Sequence, residues 1–481
     1  MTAHKRQWLD RKTVQGATCA AVAALLVGCV AGQAPKPEET RKQLSDSLHM
    51  DHPWKAAGAD AGAVQDNWLA TFGDSTLNSL VHEAQLANPD IRIAGARMRQ
   101  AAEYLVQARA PQYPAVAIGA RGGLKESGGG GDPSSAMSGA VAAASWELDL
   151  WGRVRYGKLA AAEENAASQA DYEFARQSLA AAVAKAWFTA IQLTQQAKLA
   201  GEMVDSSTTL ANLAGDRERV GAGSDVDTAL ARANAHTLED ARAQAEFARD
   251  QALRALELLL GRYPAAEIAA NSDFTALPPA PPAGVPLSLL ERRPDVIAAE
   301  HRVAAAFNRM GQAKAAMFPT INLSLNFGYF SSEILQLKQD FENPVGGLGA
   351  SLFAPIFQGG ALRAQVRIRT LQQEEAAANY SGVALRALND VENALSAGRT
   401  MATRVRSLTD ANNEQQRALE LTQHSLEVGR ADRRGLEQQR LNAANARIAL
   451  LSVRAEELTQ RVNLHLALGG SFETPPPPPP K

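Results

Sequence analysis

Thr320-Ile321-Asn322-Leu323-Ser324-Leu325-Asn326-Phe327-Gly328-Tyr329 decides the fold. Ile321, Leu323, Leu325, Phe327 and Tyr329 alternate with Asn322, Ser324, Asn326 and Gly328. Side chains of a strand point to opposite faces in turn, so this is a strand with one apolar and one polar face. About ten residues is also the length of a tilted strand crossing a bilayer. Downstream, Leu348, Ala350 and Leu352 alternate with Gly349 and Ser351 up to Pro355, which gives a weaker partner strand over 348–355. Upstream, a helix over 294–316 opens at Pro294-Asp295, since Pro suits the first turn and an early acid suits the helix dipole. It stops before Pro319.

The same series occurs earlier in the chain. Asn88-Pro89-Asp90 opens a stretch that ends at Pro114, 205 residues ahead of its counterpart, with no gap. Pro89/Pro294, Asp90/Asp295, Ala94/Ala299, Arg97/Arg302, Ala101/Ala306, Gln107/Gln312 and Pro114/Pro319 are identical. Val220-Gly221 to Leu260-Gly261 and Val428-Gly429 to Leu468-Gly469 repeat at an offset of 208, with Arg232/Arg440, Asn234/Asn442, Leu256/Leu464 and Leu258/Leu466 matched. So small a drift over so long a unit implies a duplication, not a solenoid with periods of about 20–50 residues. In the first half the strands fall at about 115–123 and 138–148, with poorer alternation.

Each half then commits to long helices. Arg153 to Arg219 contains no Pro, and as one helix it would be about 100 Å long; Leu362 to Leu426 is its twin. Each turns at a Gly-containing hairpin and returns, giving hairpins over 153–260 and 362–468. Leu441, Ile448, Ala455 and Val462, spaced by seven, run beside Ala444, Leu451 and Leu458, the seam of an antiparallel coiled coil. The reading divides the chain into a signal segment over 1–28, a linker over 29–63, a first repeat over 64–270, a Pro-rich connector over 271–288, a second repeat over 289–470 and a polyproline tail over 471–481. The fold class is therefore mainly α, with a membrane β part of four strands per chain. Four strands cannot close a transmembrane barrel, for which the minimum is about eight, and an open edge cannot sit in lipid. Copies of the chain must close a ring; two copies or three would supply enough strands.

The amino terminus sets the compartment. Lys5, Arg6, Arg11 and Lys12 precede an uncharged apolar stretch, Val14 to Val27, which is short for a membrane span and fits a signal segment. It ends in Leu26-Val27-Gly28-Cys29, which resembles a bacterial lipoprotein box, so Cys29 is expected to carry N-palmitoyl and S-diacylglycerol groups. Val30 follows, and the absence of an acid there points to the outer membrane. Elsewhere, 49 Lys+Arg against 51 Asp+Glu exclude a basic nucleic-acid footprint. With 46% apolar and 21% charged residues the chain is not a disordered one. Two Cys and 8 His leave little for a zinc or disulfide framework. Gly128–Gly131 lacks the Lys-Ser/Thr of a phosphate loop, and His49-Met50-Asp51-His52 is a thin basis for a metal site. No cofactor, metal site or catalytic constellation is expected, and so no enzyme.

Three stretches resemble the outer membrane efflux protein family of TolC-like proteins, in its acylated NodT-type branch. They are Trp68-Leu69-Ala70-Thr71-Phe72-Gly73-Asp74 with Asn88-Pro89-Asp90; Leu289-Leu290-Glu291-Arg292-Arg293-Pro294-Asp295 with Gly311-Gln312-Ala313-Lys314 and Phe318-Pro319; and the hinge Asp149-Leu150-Trp151-Gly152-Arg153, echoed by Phe357-Gln358-Gly359-Gly360. The resemblance implies a homotrimer with a 12-stranded β-barrel in outer-membrane lipid and an α-helical barrel in the periplasm. It implies an exit duct for small toxic compounds or drugs, working with a periplasmic adaptor and an inner-membrane transporter of the RND type. A duct for secreted protein or metal ions, or a lipid-anchored coiled-coil scaffold without a channel, are the competing readings. It further implies adaptor contact at the hairpin tips, Val220, Gly221, Gly223, Val428 and Gly429, and a periplasmic gate there. Asp225, Asp227, Asp432, Arg433 and Arg434 are the gate candidates; helix capping by Ser224 or the Asp residues is the plainer alternative.

Overall fold

The computed structural model describes residues 36–48, 54–56, 66–121, 138–270, 273–284, 286–331 and 345–473. Its elements are α1 (Pro37–Leu48), α2 (Ser75–Ala87), α3 (Pro89–Arg109), β1 (Ala115–Arg121), β2 (Ser138–Leu148), α4 (Arg153–Arg219), α5 (Asp225–Leu259), α6 (Pro286–Arg292), α7 (Pro294–Ala315), β3 (Thr320–Ser331), β4 (Val345–Phe353), α8 (Ala361–Glu427) and α9 (Arg433–Ala467), with short 3-10 turns at Trp68–Phe72 and Ala110–Gln112. Both long helices have 67 residues and both return helices 35.

Some boundaries differ from the sequence reading. The segment read as a linker contains α1, whose Pro37 and early acids Glu38 and Glu39 make a helix start. The connector gives way at Pro286 to α6, again with Pro in the first position. Strand β4 starts at Val345 and ends at Phe353; Gly346 and Gly347 carry no side chain to reveal the alternation. Cys29, His49–His52, Gly128–Gly131 and the Pro run after Glu473 lie outside the described residues.

The chain packs into two compact units, each drawn from both repeats. The first comprises Met1–Thr40, Gln100–Ala166 and Glu300–Asn379. It holds one sheet of order β1-β2-β3-β4, antiparallel throughout. In the same unit α4 and α7 approach each other closely. A Cβ at Gly311 would meet the Tyr156 ring at 2.9 Å, and one at Gly157 would meet Gln312 Nε2 at 2.8 Å. The hinge residues lock the strand-to-helix corner. Asp149 accepts from the Val154 and Arg155 amides at 3.0 and 2.9 Å. Trp151 donates to the Pro319 carbonyl at 2.6 Å, and its ring stacks on Phe318 at 5.0 Å.

The second unit comprises Arg41–Arg99, Ala167–Ala299 and Tyr380–Lys481. Its core joins Trp68, Phe72, Leu77 and Val81 to Val183, Trp187, Phe188 and Ile191 of α4, Leu256 of α5, and Leu458 and Val462 of α9. Within it each repeat docks its capped helix on the end of its own return helix. Asn88 Nδ2 donates to the Leu259 carbonyl at 2.9 Å, while its Oδ1 accepts from the Asp90 and Ile91 amides. Arg293, at the equivalent place, donates to the Ala467 carbonyl at 3.4 Å and pairs with Asp295 and Asp390 at 2.7 and 3.0 Å. The family-like stretch around Arg293 is thus a structural joint.

Candidate functional site

The sheet separates two chemistries. Its register aligns Val116–Ala144–Leu325–Leu348 and, one step along, Ile118–Ala142–Phe327–Gly346. Trp146, Leu323 and Ala350 form another row of the same face, and Leu148, Ile321 and Leu352 the next. Every one of these residues is apolar or Gly. The opposite face carries Ser145–Ser324–Gly349, Ala143–Asn326–Gly347 and Glu147–Asn322–Ser351. The weak alternation of β1 and β2 is thereby resolved, because pairing with β3 assigns each of their Ala residues to a face. Ile118 and Leu348 are each 82% exposed, an apolar area that water does not favour and lipid does. Within the sheet β1 and β4 each pair on one side only, so both edges present unpaired backbone groups to a neighbour.

The hairpin ends carry the second set of candidates. In both turns a Gly takes φ +74, Gly221 and Gly429, a left-handed conformation in which a Cβ is costly. The amide three places beyond each helix end reaches back five residues: Ala222 to the Arg217 carbonyl and Arg430 to the Ser425 carbonyl, both at 2.8 Å. That bonding satisfies helix-end carbonyls. Ser224 caps α5, accepting from the Asp227 amide at 3.1 Å, while Asp227 accepts from the Ser224 amide at 3.4 Å, a reciprocal capping box. Asp432 caps α9 through the Gly435 amide at 2.7 Å. Asp225 is exposed in the first turn of α5. Val220 and Val428 are also exposed, and a Cβ at Gly223 would meet the Glu218 amide at 3.1 Å.

Of the gate candidates, Arg434 lies 3.7 Å from Asp432 and Arg433 lies 3.8 Å from Glu437. Among the described residues no ion pair joins Asp225 or Asp227 to Asp432, Arg433 or Arg434; each hairpin satisfies its own end. The sequence reading missed Glu437, a carboxylate 1% exposed between Arg433 and Arg440. Its signal was present in the spacing of opposite charges four residues before and three after on one helix face. Glu437 lines a groove of about 1110 Å³ among α4, α5, α8 and α9, with Glu202 and Asp205 on the α4 wall, Glu246 and Arg249 on α5, and Arg440 and Arg447 on the α9 wall. Above it the helices are joined by Gln196 to Ser452 at 2.8 Å and Lys185 to Asn463 at 3.3 Å.

Comparison with known proteins agrees with this architecture. The profile described as "Outer membrane efflux protein" matches residues 80–262 and 285–470. Outer membrane protein OprJ of Pseudomonas aeruginosa is 31% identical over 96% of this chain and 97% of its own. The toluene efflux pump outer membrane protein TtgC of Pseudomonas putida is 29% identical over 86% of this chain and 87% of its own. Among solved structures, the open state of the MtrE outer membrane channel of Neisseria gonorrhoeae superposes with a TM-score of 0.72 at 27% identity, covering 88% of this chain and 98% of that one. The fold and its two-faced sheet are those of an outer-membrane efflux channel. The chain belongs to the outer membrane efflux protein family, and it serves in the outer membrane as the exit component of an efflux pump.

Proposed function

We propose that three copies of this chain close a 12-stranded barrel and a ring of helical hairpins, and that the ring passes small toxic compounds from a periplasmic adaptor and an RND-type inner-membrane transporter to the outside. The observation that carries this reading is the sheet: four strands with one continuous apolar face and two unpaired edges. No bond is made or broken in this role; the partner pump supplies the energy. TtgC, by its name, serves toluene efflux, which supports an apolar or amphipathic cargo. The two-faced sheet argues against a scaffold without a channel, which needs no lipid-facing strand.

Two further parts belong to the reading. Acylation at Cys29 anchors the amino terminus in the outer membrane, one lipid attachment added to the insertion of the barrel. The hairpin tips around Gly221, Gly223 and Gly429 meet the adaptor, and Asp225, Asp227, Asp432, Arg433 and Arg434 make the contacts between copies that hold the aperture shut. Rings of charged side chains near an axis set gating and selectivity.

Single-channel conductance of the purified protein in a planar bilayer tests this, run beside the double variant Asp432→Ala/Arg433→Ala. Small steps in the native protein that grow in the variant support a duct gated at the second hairpin. Unchanged steps move the gate to Asp225 and Asp227. Absence of steps from either protein, with insertion confirmed, would sink the open-duct reading.

A further inference from the structure

Ahead of the first repeat the chain touches parts of itself that come much later in sequence. Trp54 is buried, 8% exposed, and its Nε1 donates to the Ala283 carbonyl at 3.2 Å. The amides of Lys55 and Ala56 both donate to Glu392 on α8, at 2.7 Å to Oε1 and 2.7 Å to Oε2. On either side of these residues, Arg41 pairs with Glu291 at 3.3 Å, and Asp66 accepts from Arg292 at 2.8 Å and from the Ser471 amide at 3.0 Å. Every partner lies in the connector, in the second repeat or at Ser471 just beyond it. Residues 54–56 belong to no helix or strand, so their two amides find partners in the side chain of another segment. A carboxylate taking two successive amides recognises backbone through charge-assisted bonds. An indole buried with its N–H satisfied adds sequence selectivity.

We infer that Trp54–Ala56 is a strap, that Glu392 and the connector around Ala283 are its dock, and that docking fixes the length of the tether to the amino-terminal anchor. Lys55 and Glu392 are 337 positions apart, so the dock is complete only once the second repeat has formed. From Trp54 back to Cys29 the chain comprises α1, at about 1.5 Å per residue, and 13 further residues that reach at most about 3.6 Å each. On the reading that Cys29 is acylated, the lipid therefore attaches within about 65 Å of the dock. Release of the strap as far as Asp66 would lengthen that reach by about 43 Å.

Trypsin reads the strap directly, because the Lys55–Ala56 bond joins the two docked residues. The full-length protein, in outer-membrane fragments, is digested beside Glu392→Ala, Glu392→Gln and Trp54→Ala, and cleavage after Lys55 is timed by mass spectrometry. Trp54→Ala removes the buried indole and its bond to the Ala283 carbonyl without touching α8, so it alters the strap and not the body. The expected result is cleavage at least tenfold faster in Glu392→Ala and Trp54→Ala than in the native chain. Glu392→Gln, with one acceptor oxygen left, falls between, and the thermal midpoint of the body stays the same. Equal rates in the native chain and Trp54→Ala would overturn the proposal. So would a fall in body stability that alone accounts for the Glu392→Ala rate. The mass of the Cys29 peptide reports acylation separately, so failure of the anchor reading leaves the Lys55 result standing.

Discussion

At the residue scale the strongest constraints are buried polar groups whose partners lie far away in sequence. His465 is 4% exposed, stacks on Trp68 at 5.6 Å and meets Phe72 edge-on, and neither ring nitrogen has a hydrogen-bond partner. Burial, with the nearby Arg461 charge as a smaller cause, lowers its pKa from 6.5 to about 4. The unfolded chain therefore takes up a proton at 6.5 that the folded chain refuses until about 4. Stability should be flat above pH 6.5, fall as pH drops toward 4, and level off below, with about 3 kcal/mol lost in all. His465→Phe should remove that part of the acid slope, read as the unfolding midpoint between pH 7 and 4. Arg293 makes the opposite case, a buried cation shared by Asp295 and Asp390. Arg293→Ala leaves those carboxylates without their cation and should cost about 3 kcal/mol, seen as a lowered thermal midpoint, with Arg293→Lys recovering only part because it lacks the forked donor. Pro-Asp pairs and Gly turns were legible in the sequence because they act within a few residues. His465 on Trp68 was not, since the two are separated by most of the chain and no local rule links them.

At the element scale the long helices were readable from the absence of Pro and the seven-residue spacing, and the seam predicted for α9 is largely buried at Leu441, Leu451, Ala455, Leu458 and Val462. Ile448 and Ala444 are only half-buried. A second stripe, Leu436, Ala443, Leu450 and Leu464, is buried as well. The reason is that α9 packs on two neighbours. Leu450 and Val453 meet Met401 of α8, its hairpin partner, while Leu458 and Val462 join the core with α4. A single heptad pattern describes one neighbour, so the second stripe lay outside it. The ends of these helices differ in what they tolerate. A Cβ at Gly429 would meet nothing within 4 Å, whereas at Gly261 a Cβ would sit 2.8 Å from the Ala87 carbonyl oxygen. Gly429→Ala should therefore cost only the left-handed conformation, about 1–2 kcal/mol. Gly261→Ala adds displacement of the α2 end and should cost about 1–3 kcal/mol more. Urea midpoints of the two variants, measured in the same detergent, check the ordering.

At the scale of the whole molecule the two faces of the sheet assign lipid and lumen, and neighbouring positions of β3 test that assignment with one substitution. Leu325 lies in the apolar row with Val116, Ala144 and Leu348, and Ser324 lies in the polar row with Ser145 and Gly349. An arginine on the lipid side near the bilayer midplane costs about 2–4 kcal/mol per strand, and the proposed ring of three chains would incur it three times. Leu325→Arg should therefore reduce the inserted, heat-resistant oligomer sharply. Ser324→Arg carries the same charge one residue away and points it into water, so insertion and oligomer yield should match the native protein. Its effect should appear in the current, because a ring of added cations favours anions and the reversal potential under a salt gradient should move toward the anion side. Equal loss of oligomer from both substitutions would mean that neither face meets water. Equal tolerance of both would mean that neither meets lipid, and the duct would then have to be sought along the helical hairpins alone.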